Sequence, residues 1–430
     1  MDTEAEPQRT FLVTLVALTF VMNLIARGVP ETFAVFLLPV QDALGIARSE
    51  VTLTYSCYML AYGLSAPFVG QLIDRLGARI TYGFGLASLG VGYLIAGSAS
   101  SLWPYLLGAG LLGGLGAAAL GMIVASGLLS RWFTSNIGSI MAMPYAALGA
   151  GMLILPPLAQ LLLSAYGWRA AHHILGMGVL AVLPLAMLLP LGRMTAGSSG
   201  WRELRRQAAA SVSGGWTVTA AARTSGFWGL FIAYLFTSVA AYAVLPHSVA
   251  YLIERGFDPM VAASAFGMTG MLSVVGMLGI GWLSDRIGRR QAATLSFLST
   301  MTGILALIAV SISPSLLLVY AFVWFFGLMQ GARGPIIVAL AAALFPGGGV
   351  GAIYGTLSMA MGGGAAIGSW ASGVLYQWTG GYVASFLLSM TCAFAGMATF
   401  WVFRSLREGE AGAGTIKHSA PAAADNAPHR

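Results

Sequence analysis

Three strong charges, Arg27, Glu31 and Arg333, stand deep inside long apolar runs of this sequence, and so does His247. If those runs cross a membrane, each such charge costs at least about 2.5–3.5 kcal/mol and has to face a cavity or a partner. Arg27 and Glu31 are four residues apart, on one helical face and within reach of each other. Two readings stay open for them. They are either a mutually neutralised structural pair, or a site in which at least one member binds substrate or a proton. Arg333 lies in Gln330-Gly331-Ala332-Arg333-Gly334-Pro335, with no acid one turn away. The Gly and Pro predict an opened helix whose freed backbone groups face a cavity or protein. An unpaired guanidinium there suits a carboxylate, which its fork holds bidentately, and Glu31 is the competing partner. His247 follows Pro246, and its imidazole could carry a coupling proton or simply satisfy a neighbouring helix. Arg333 and then Arg27 are therefore the candidates for an anionic group, and Glu31 and His247 for a proton. Tyr58, Tyr145, Gln330 and Tyr354, with Asn23, Tyr62, Gln160 and Tyr242, could line a cavity, against the plainer reading of interhelical hydrogen bonding.

A second pattern is repeated. Gly70-Gln71-Leu72-Ile73-Asp74-Arg75-Leu76-Gly77-Ala78-Arg79 returns as Gly281-Trp282-Leu283-Ser284-Asp285-Arg286-Ile287-Gly288-Arg289-Arg290. Val29-Pro30-Glu31-Thr32 answers Leu245-Pro246-His247-Ser248, and Tyr166-Gly167-Trp168-Arg169 answers Thr379-Gly380-Gly381-Tyr382. Glycine at either end of the loop permits close approach and a tight turn. Asp at a helix end with Arg beyond it can form charge-assisted bonds that hold one conformation closed. Gly70, Asp74, Arg75, Gly281, Asp285 and Arg286 are thus expected to form a gate. An internal duplication of this kind is a transporter signature, with substrate bound between the halves.

The elements that position these residues follow from composition. The chain has 430 residues, 58% hydrophobic and 8% charged, with mean hydropathy +0.82. A soluble domain carries about 25% charge, so a soluble enzyme is excluded. Apolar runs long enough to cross a bilayer lie near 11–38, 51–72, 80–98, 102–129, 138–163 and 169–190, then 226–253, 261–283, 291–311, 315–343, 350–376 and 382–404. The fold class is an all-α membrane protein of twelve spans in two pseudo-symmetric six-helix bundles, 11–190 and 226–404. A linker, 191–225, carries a basic patch that includes Arg205 and Arg206. Residues 1–10 form an acidic, polar N-terminal segment that is not a secretory signal, and 405–430 a tail whose richness in Ala, Gly and Pro leads us to expect disorder.

Orientation comes from the positive residues, which stay on the cytoplasmic side. With both termini inside, sixteen Lys and Arg, Lys417 and Arg430 among them, fall in inside segments; only Arg48, Arg169 and Arg255 fall outside. The expected location is the inner or plasma membrane. The net charge of +7 is scattered, with no basic face for nucleic acid. Cys57 and Cys392 sit in apolar runs as small buried hydrophobes. No metal-ligand spacing, nucleotide loop or nucleophile motif is present, so neither cofactor nor catalysis is expected, and transport energy has to come from a gradient.

The repeated loop resembles the signature of the major facilitator superfamily, over nearly the whole chain from Thr10 to Arg404. The first half resembles its monocarboxylate-transporter-like branch, on Gly28-Val29-Pro30-Glu31-Thr32-Phe33-Ala34-Val35-Phe36, Ser130-Arg131-Trp132-Phe133 and Tyr166-Gly167-Trp168-Arg169. The resemblance implies alternating access and a substrate-binding Arg in span eight, four residues before Gly281. That position holds Met277 here; Ser273 stands where many carboxylate carriers have Asp, and Glu31 where some have Lys. The expectation is a monomeric secondary transporter of a small, monocarboxylate-like organic anion, coupled to protons. The alternatives are efflux of a neutral or amphipathic compound and a non-transporting membrane sensor, for which the short loops leave no signalling domain.

Overall fold

A hydrocarbon core offers no water to exposed peptide groups, so a chain this apolar has to satisfy its backbone internally. Among the described residues it does so with helices alone. The computed structural model describes residues 9–133, 137–203, 216–345 and 350–406. Residues 1–8, Arg205 and Arg206 of the linker patch, and 407–430 with Lys417 and Arg430 lie outside them.

Nine helical stretches among the described residues are long and apolar enough to cross a membrane. Span one is Arg9–Leu44, span four Leu102–Leu129, span seven Ser225–Glu254, and spans eight to ten Pro259–Ile287, Arg289–Ile312 and Leu316–Leu344; span twelve is Val383–Val402. Two stretches hold a pair of spans each, joined at a non-helical glycine. Spans two and three share Arg48–Gly97, and spans five and six share Ile137–Met187. The 30-residue helix Val350–Thr379 is span eleven and completes twelve.

The duplication read from sequence recurs in the backbone. Gly77 and Gly288, in the two copies of the loop, have φ of 78° and 90°; Gly167 and Gly380 have φ of 78° and 69°. A side chain at such φ is strained, so all four turns require glycine. Spans one and seven are both broken near their middle, after Glu31 and after Tyr242. A feature with no sequence signature is also duplicated. Span four contains a π-helical segment, Leu106–Leu112, and span ten another, Val323–Gly327. Each is held by a serine from the preceding span: Ser88 Oγ donates to the Leu112 carbonyl and Ser299 Oγ to that of Phe325, both at 2.8 Å.

The halves meet along spans one, two and five of the first and seven, eight and eleven of the second. Their tightest clamp is at the face opposite the chain ends. Arg48, 4% exposed, extends its guanidinium to Glu254 at 2.8 Å and to the Tyr382 hydroxyl, and lies over the Tyr376 ring. Ser49 Oγ donates to Gln377 Oε1 at 2.6 Å, and two turns deeper Ser56 Oγ donates to the Ala366 carbonyl at 2.7 Å. Arg48, which the charge count places in an outer loop, is therefore a buried tie between halves. On the terminus-bearing face Asp74, Arg75, Asp285 and Arg286 are exposed. A recess of about 340 Å³ opens there between Gly70, Asp74, Ser126, Ser130 and Met141.

Small residues set these crossings, because packing rather than hydrophobicity drives helix association in lipid. A Cβ on Gly28 would lie 2.7 Å from the Gly151 carbonyl oxygen, whereas one on Gly279 would meet nothing within 4 Å. Gly28→Ala is expected to lower stability by about 1–3 kcal/mol, the cost of overpacking, and Gly279→Ala to leave it unchanged. Thermal unfolding of the two variants in detergent checks this.

Candidate substrate site

The break in span one makes the site. Pro30 brings no N–H, and the helix stops at Glu31 before resuming at Phe33. The Val29 carbonyl is taken by Thr32 Oγ1 at 2.6 Å and by the Tyr93 hydroxyl at 2.5 Å, so the turn is pinned from span three. Glu31 thus projects from an opened turn, and Arg27 one turn earlier meets it at 3.0 Å. The Tyr55 hydroxyl donates to Glu31 Oε1 at 3.0 Å. Glu31 is 1% exposed, and the Arg27 side chain keeps 22% of its surface. Across the interface, the Tyr242 hydroxyl lies 3.4 Å from both terminal nitrogens of Arg27. A guanidinium has five N–H donors, so the pair leaves Arg27 with spare donors on its open side.

Aromatic rings extend the site. Tyr55, Tyr58 and Tyr62 form a ladder down span two, with centroids 5.4 and 6.3 Å apart, and Tyr55 is 6.1 Å from Tyr242. The Tyr354 hydroxyl is 3.5 Å from that of Tyr234. Of the cavity candidates, Tyr58 stands in this ladder next to Tyr55, which holds Glu31, whereas Tyr354 meets Tyr234 of span seven. Gln330 is half-buried, and its Oε1 has no hydrogen-bond partner among the described residues.

Arg333 is placed otherwise than its sequence context suggests. The helix does open at Gly331 and Ala332, as expected. The side chain, however, is 1% exposed and turned toward span nine. Nη1 donates to the Ser296 carbonyl at 3.2 Å and to Thr300 Oγ1 at 2.9 Å, and the guanidinium lies 4.5 Å from the Phe297 centroid. Nε and Nη2 have no partner among the described residues. Glu31 is held by Arg27 and Tyr55, so it is not the competitor for Arg333. Span nine offers it the Ser296 carbonyl and the Thr300 hydroxyl, which take part of the guanidinium inside the second half. His247 is also apart from Glu31. It is fully buried, with Nε2 3.0 Å from the Ser369 carbonyl and Nδ1 3.3 Å from the Tyr382 hydroxyl. Both ring nitrogens are occupied, and its neighbour Tyr382 belongs to the Arg48 clamp.

The family model of the Major Facilitator Superfamily matches residues 16–324 and 280–425. The chain belongs to this superfamily. It is 28% identical over 384 residues to monocarboxylate transporter 13 of Rattus norvegicus, covering 88% of this chain and 85% of the relative. It is 30% identical over 370 residues to monocarboxylate transporter 11 of Homo sapiens, covering 81% and 74%. The oxalate:formate antiporter of Oxalobacter formigenes is 25% identical over 293 residues, covering 67% of this chain and 66% of that protein. The protein is a multi-pass membrane transporter and not an enzyme.

In this superfamily member the two signature loops are not equivalent. Asp74 pairs at 2.6 Å with Arg131, whose Nη1 also donates to the Thr195 carbonyl at 2.8 Å. The pair ties spans two and four to the helix Leu191–Ala196 that follows span six. In the second copy Arg286 lies 4.1 Å from the Trp282 centroid one turn back. The residues missed by sequence reasoning are Tyr55 and the clamp of Arg48, Glu254, Tyr376 and Tyr382. Tyr55 was legible from its spacing to Tyr58 and Tyr62; the clamp joins four helix ends and has no local pattern.

Removing one member of a buried pair leaves the other uncompensated, at about 3–5 kcal/mol. Arg27→Gln is expected to destabilise the protein by that amount, and adding Glu31→Gln to recover most of it. Arg333→Met, which removes a guanidinium without an acid partner, should cost less than Arg27→Gln. Melting temperatures of the three variants measure the ranking.

Proposed function

We propose that the protein carries a small organic anion with one carboxylate by alternating access, coupled to a proton, with Arg27 as the anion-binding cation. Its termini are assigned to the cytoplasmic side of the inner or plasma membrane, by the excess of Arg there. The observation that carries the reading is that one partly accessible guanidinium, facing the second half, is held by one buried carboxylate. The names of two relatives, both monocarboxylate transporters, agree with a single carboxylate, and that of the oxalate:formate antiporter agrees in naming small carboxylates, one of them with two.

The pairing supplies the coupling. A substrate carboxylate that engages the open side of Arg27 shares its single positive charge with Glu31 and weakens the pair. Glu31 would then be an unpaired carboxylate in an apolar site, which is strongly disfavoured, so it takes up a proton. Anion binding and protonation are thereby linked, and each favours the other equally. In the empty carrier the ion pair is restored and the proton released. Arg333 serves the packing of span ten on span nine in this reading, and Asp74 with Arg131 holds the terminus-bearing loop during the motion.

Anion affinity should rise as pH falls, by up to about tenfold per unit for one linked proton. Glu31→Gln should bind the anion with affinity independent of pH and retain exchange, while losing net proton-driven uptake. Arg27→Gln should lose both activities. Binding titrations and uptake into proteoliposomes at several pH values test this; undiminished uptake by Arg27→Gln overturns it. The second reading, a neutral or amphipathic substrate, is favoured only by the neutrality of the resting pair, and predicts that Arg27→Gln still binds its ligand.

A further inference from the structure

We propose that Tyr55 is a two-position hydrogen-bond switch, and that Thr54, through one water in the cavity both residues line, receives the Tyr55 hydrogen when Glu31 is protonated. Thr54 is then a positioning residue for the coupling proton. The switch rests on the reading of Glu31 as the proton site and adds the partner that its neutral form requires.

The ionised and the neutral carboxyl make opposite demands on Tyr55. Arg27 and the Tyr55 hydroxyl both meet Glu31 at Oε1, each at 3.0 Å. A proton on Glu31 cancels the attraction of Arg27 and takes its place at that oxygen. Oε1–H is then a donor, and Tyr55 can accept from it only if its own hydrogen turns to another acceptor. No covalent bond of Tyr55 breaks; its O–H rotates about the C–O bond. The backbone acceptor freed by the break in span one is already filled. The Val29 carbonyl takes both Thr32 Oγ1 and the Tyr93 hydroxyl. Arg27 offers donors alone, and a buried hydroxyl hydrogen left without an acceptor is costly.

The missing acceptor lies on the other side of Tyr55. A largely enclosed cavity there has room of about 10 Å³, enough for one water. It is walled by Pro30 and Phe33 of span one, Thr54 and Tyr55 of span two, Tyr105 of span four and His172 of span six. Thr54 is 1% exposed, and its Oγ1 has no hydrogen-bond partner among the described residues. That is not how the other buried threonines of the spans behave. Thr19, Thr52, Thr269 and Thr300 each donate to a carbonyl three or four residues back. A water held by Thr54 Oγ1 presents an oxygen to the turned Tyr55 hydroxyl, and both orphan groups are satisfied at once.

The remaining titratable groups around Tyr55 and the cavity have other work. Tyr93 of span three is spent on the Val29 carbonyl. His172 has Nδ1 2.8 Å from the Trp168 carbonyl and Nε2 3.4 Å from the Tyr105 hydroxyl. Tyr242 of span seven touches Arg27, and Tyr58 is the next ring in the ladder of span two. None of these carries a carboxylate, so Glu31 is the acid on which the switch acts.

Infrared difference spectra of the purified full chain in detergent, recorded against pH, test the switch. The protonated carboxyl C=O band that is lost in Glu31→Gln reports protonation of Glu31. Thr54→Val, which is isosteric, and Thr54→Ala both remove the receiving hydroxyl. Each is expected to weaken proton binding at Glu31 about three- to tenfold, moving the midpoint to lower pH by roughly half to one unit. Thr54→Ser keeps the hydroxyl and should leave the midpoint in place. In Tyr55→Phe, which has no hydrogen to redirect, Thr54→Val should add no further shift. An unmoved midpoint in Thr54→Val and Thr54→Ala overturns the switch. So does Thr54→Ser shifting as far as Thr54→Val, or the full shift of Thr54→Val persisting in Tyr55→Phe. All three of those results leave Glu31 standing as the proton site. Absence of any Glu31-dependent carboxyl band, down to the pH at which the protein unfolds, overturns both.

Discussion

A single buried pair of opposite charges governs this molecule. In a low-dielectric interior a guanidinium and a carboxylate are each expensive alone and tolerable together. The arrangement around Arg27 and Glu31 follows from that condition. Pro30 opens the helix where the carboxylate leaves it, and Tyr93 and Thr32 occupy the carbonyl exposed by the break. Tyr55 takes a remaining lone pair of Glu31, and Tyr242 brings the second half against Arg27. The pair is thus the point at which the chemistry of the site and the meeting of the two bundles coincide.

The two ends of the molecule differ in kind. Away from the chain ends the halves are bound by a charged, aromatic knot in which Arg48 ties spans one, two, seven, eleven and twelve. Toward the chain ends, the bond of Asp74 to Arg131 lies within the first half. A molecule clamped at one face with its loop charges exposed at the other has the form of one closed end and one available end. The intramolecular duplication supplies two similar bundles, and these unlike contacts distinguish their two meeting faces.

Much of this was legible from residue type. The apolar runs give twelve spans because length and hydropathy are local properties, and the glycines of the repeated loop announce turns that only glycine can make. Arg27 and Glu31 were visible as a pair because four residues separate them on one helix. Arg333 was visible as a buried charge, but not its direction, since its partners Ser296 and Thr300 lie 37 and 33 residues away on another span. The Arg48 clamp was hidden for another reason. Its members are separated by up to 334 residues, and each alone reads as an ordinary residue at a helix end.

The paired π-helical segments have a consequence for how spans four and ten are to be understood. One extra residue in a turn advances everything after it by about 100° around the axis. Each of these spans is therefore two helical wheels on one axis, set out of phase, with Leu106–Leu112 and Val323–Gly327 as the joins. The end of span ten that begins at Leu316 packs on span nine, and the end that carries Arg333 packs on spans seven, eight and eleven as well as nine. A labelling scan along either span would show one periodicity up to the join and the same periodicity, displaced by a residue, beyond it.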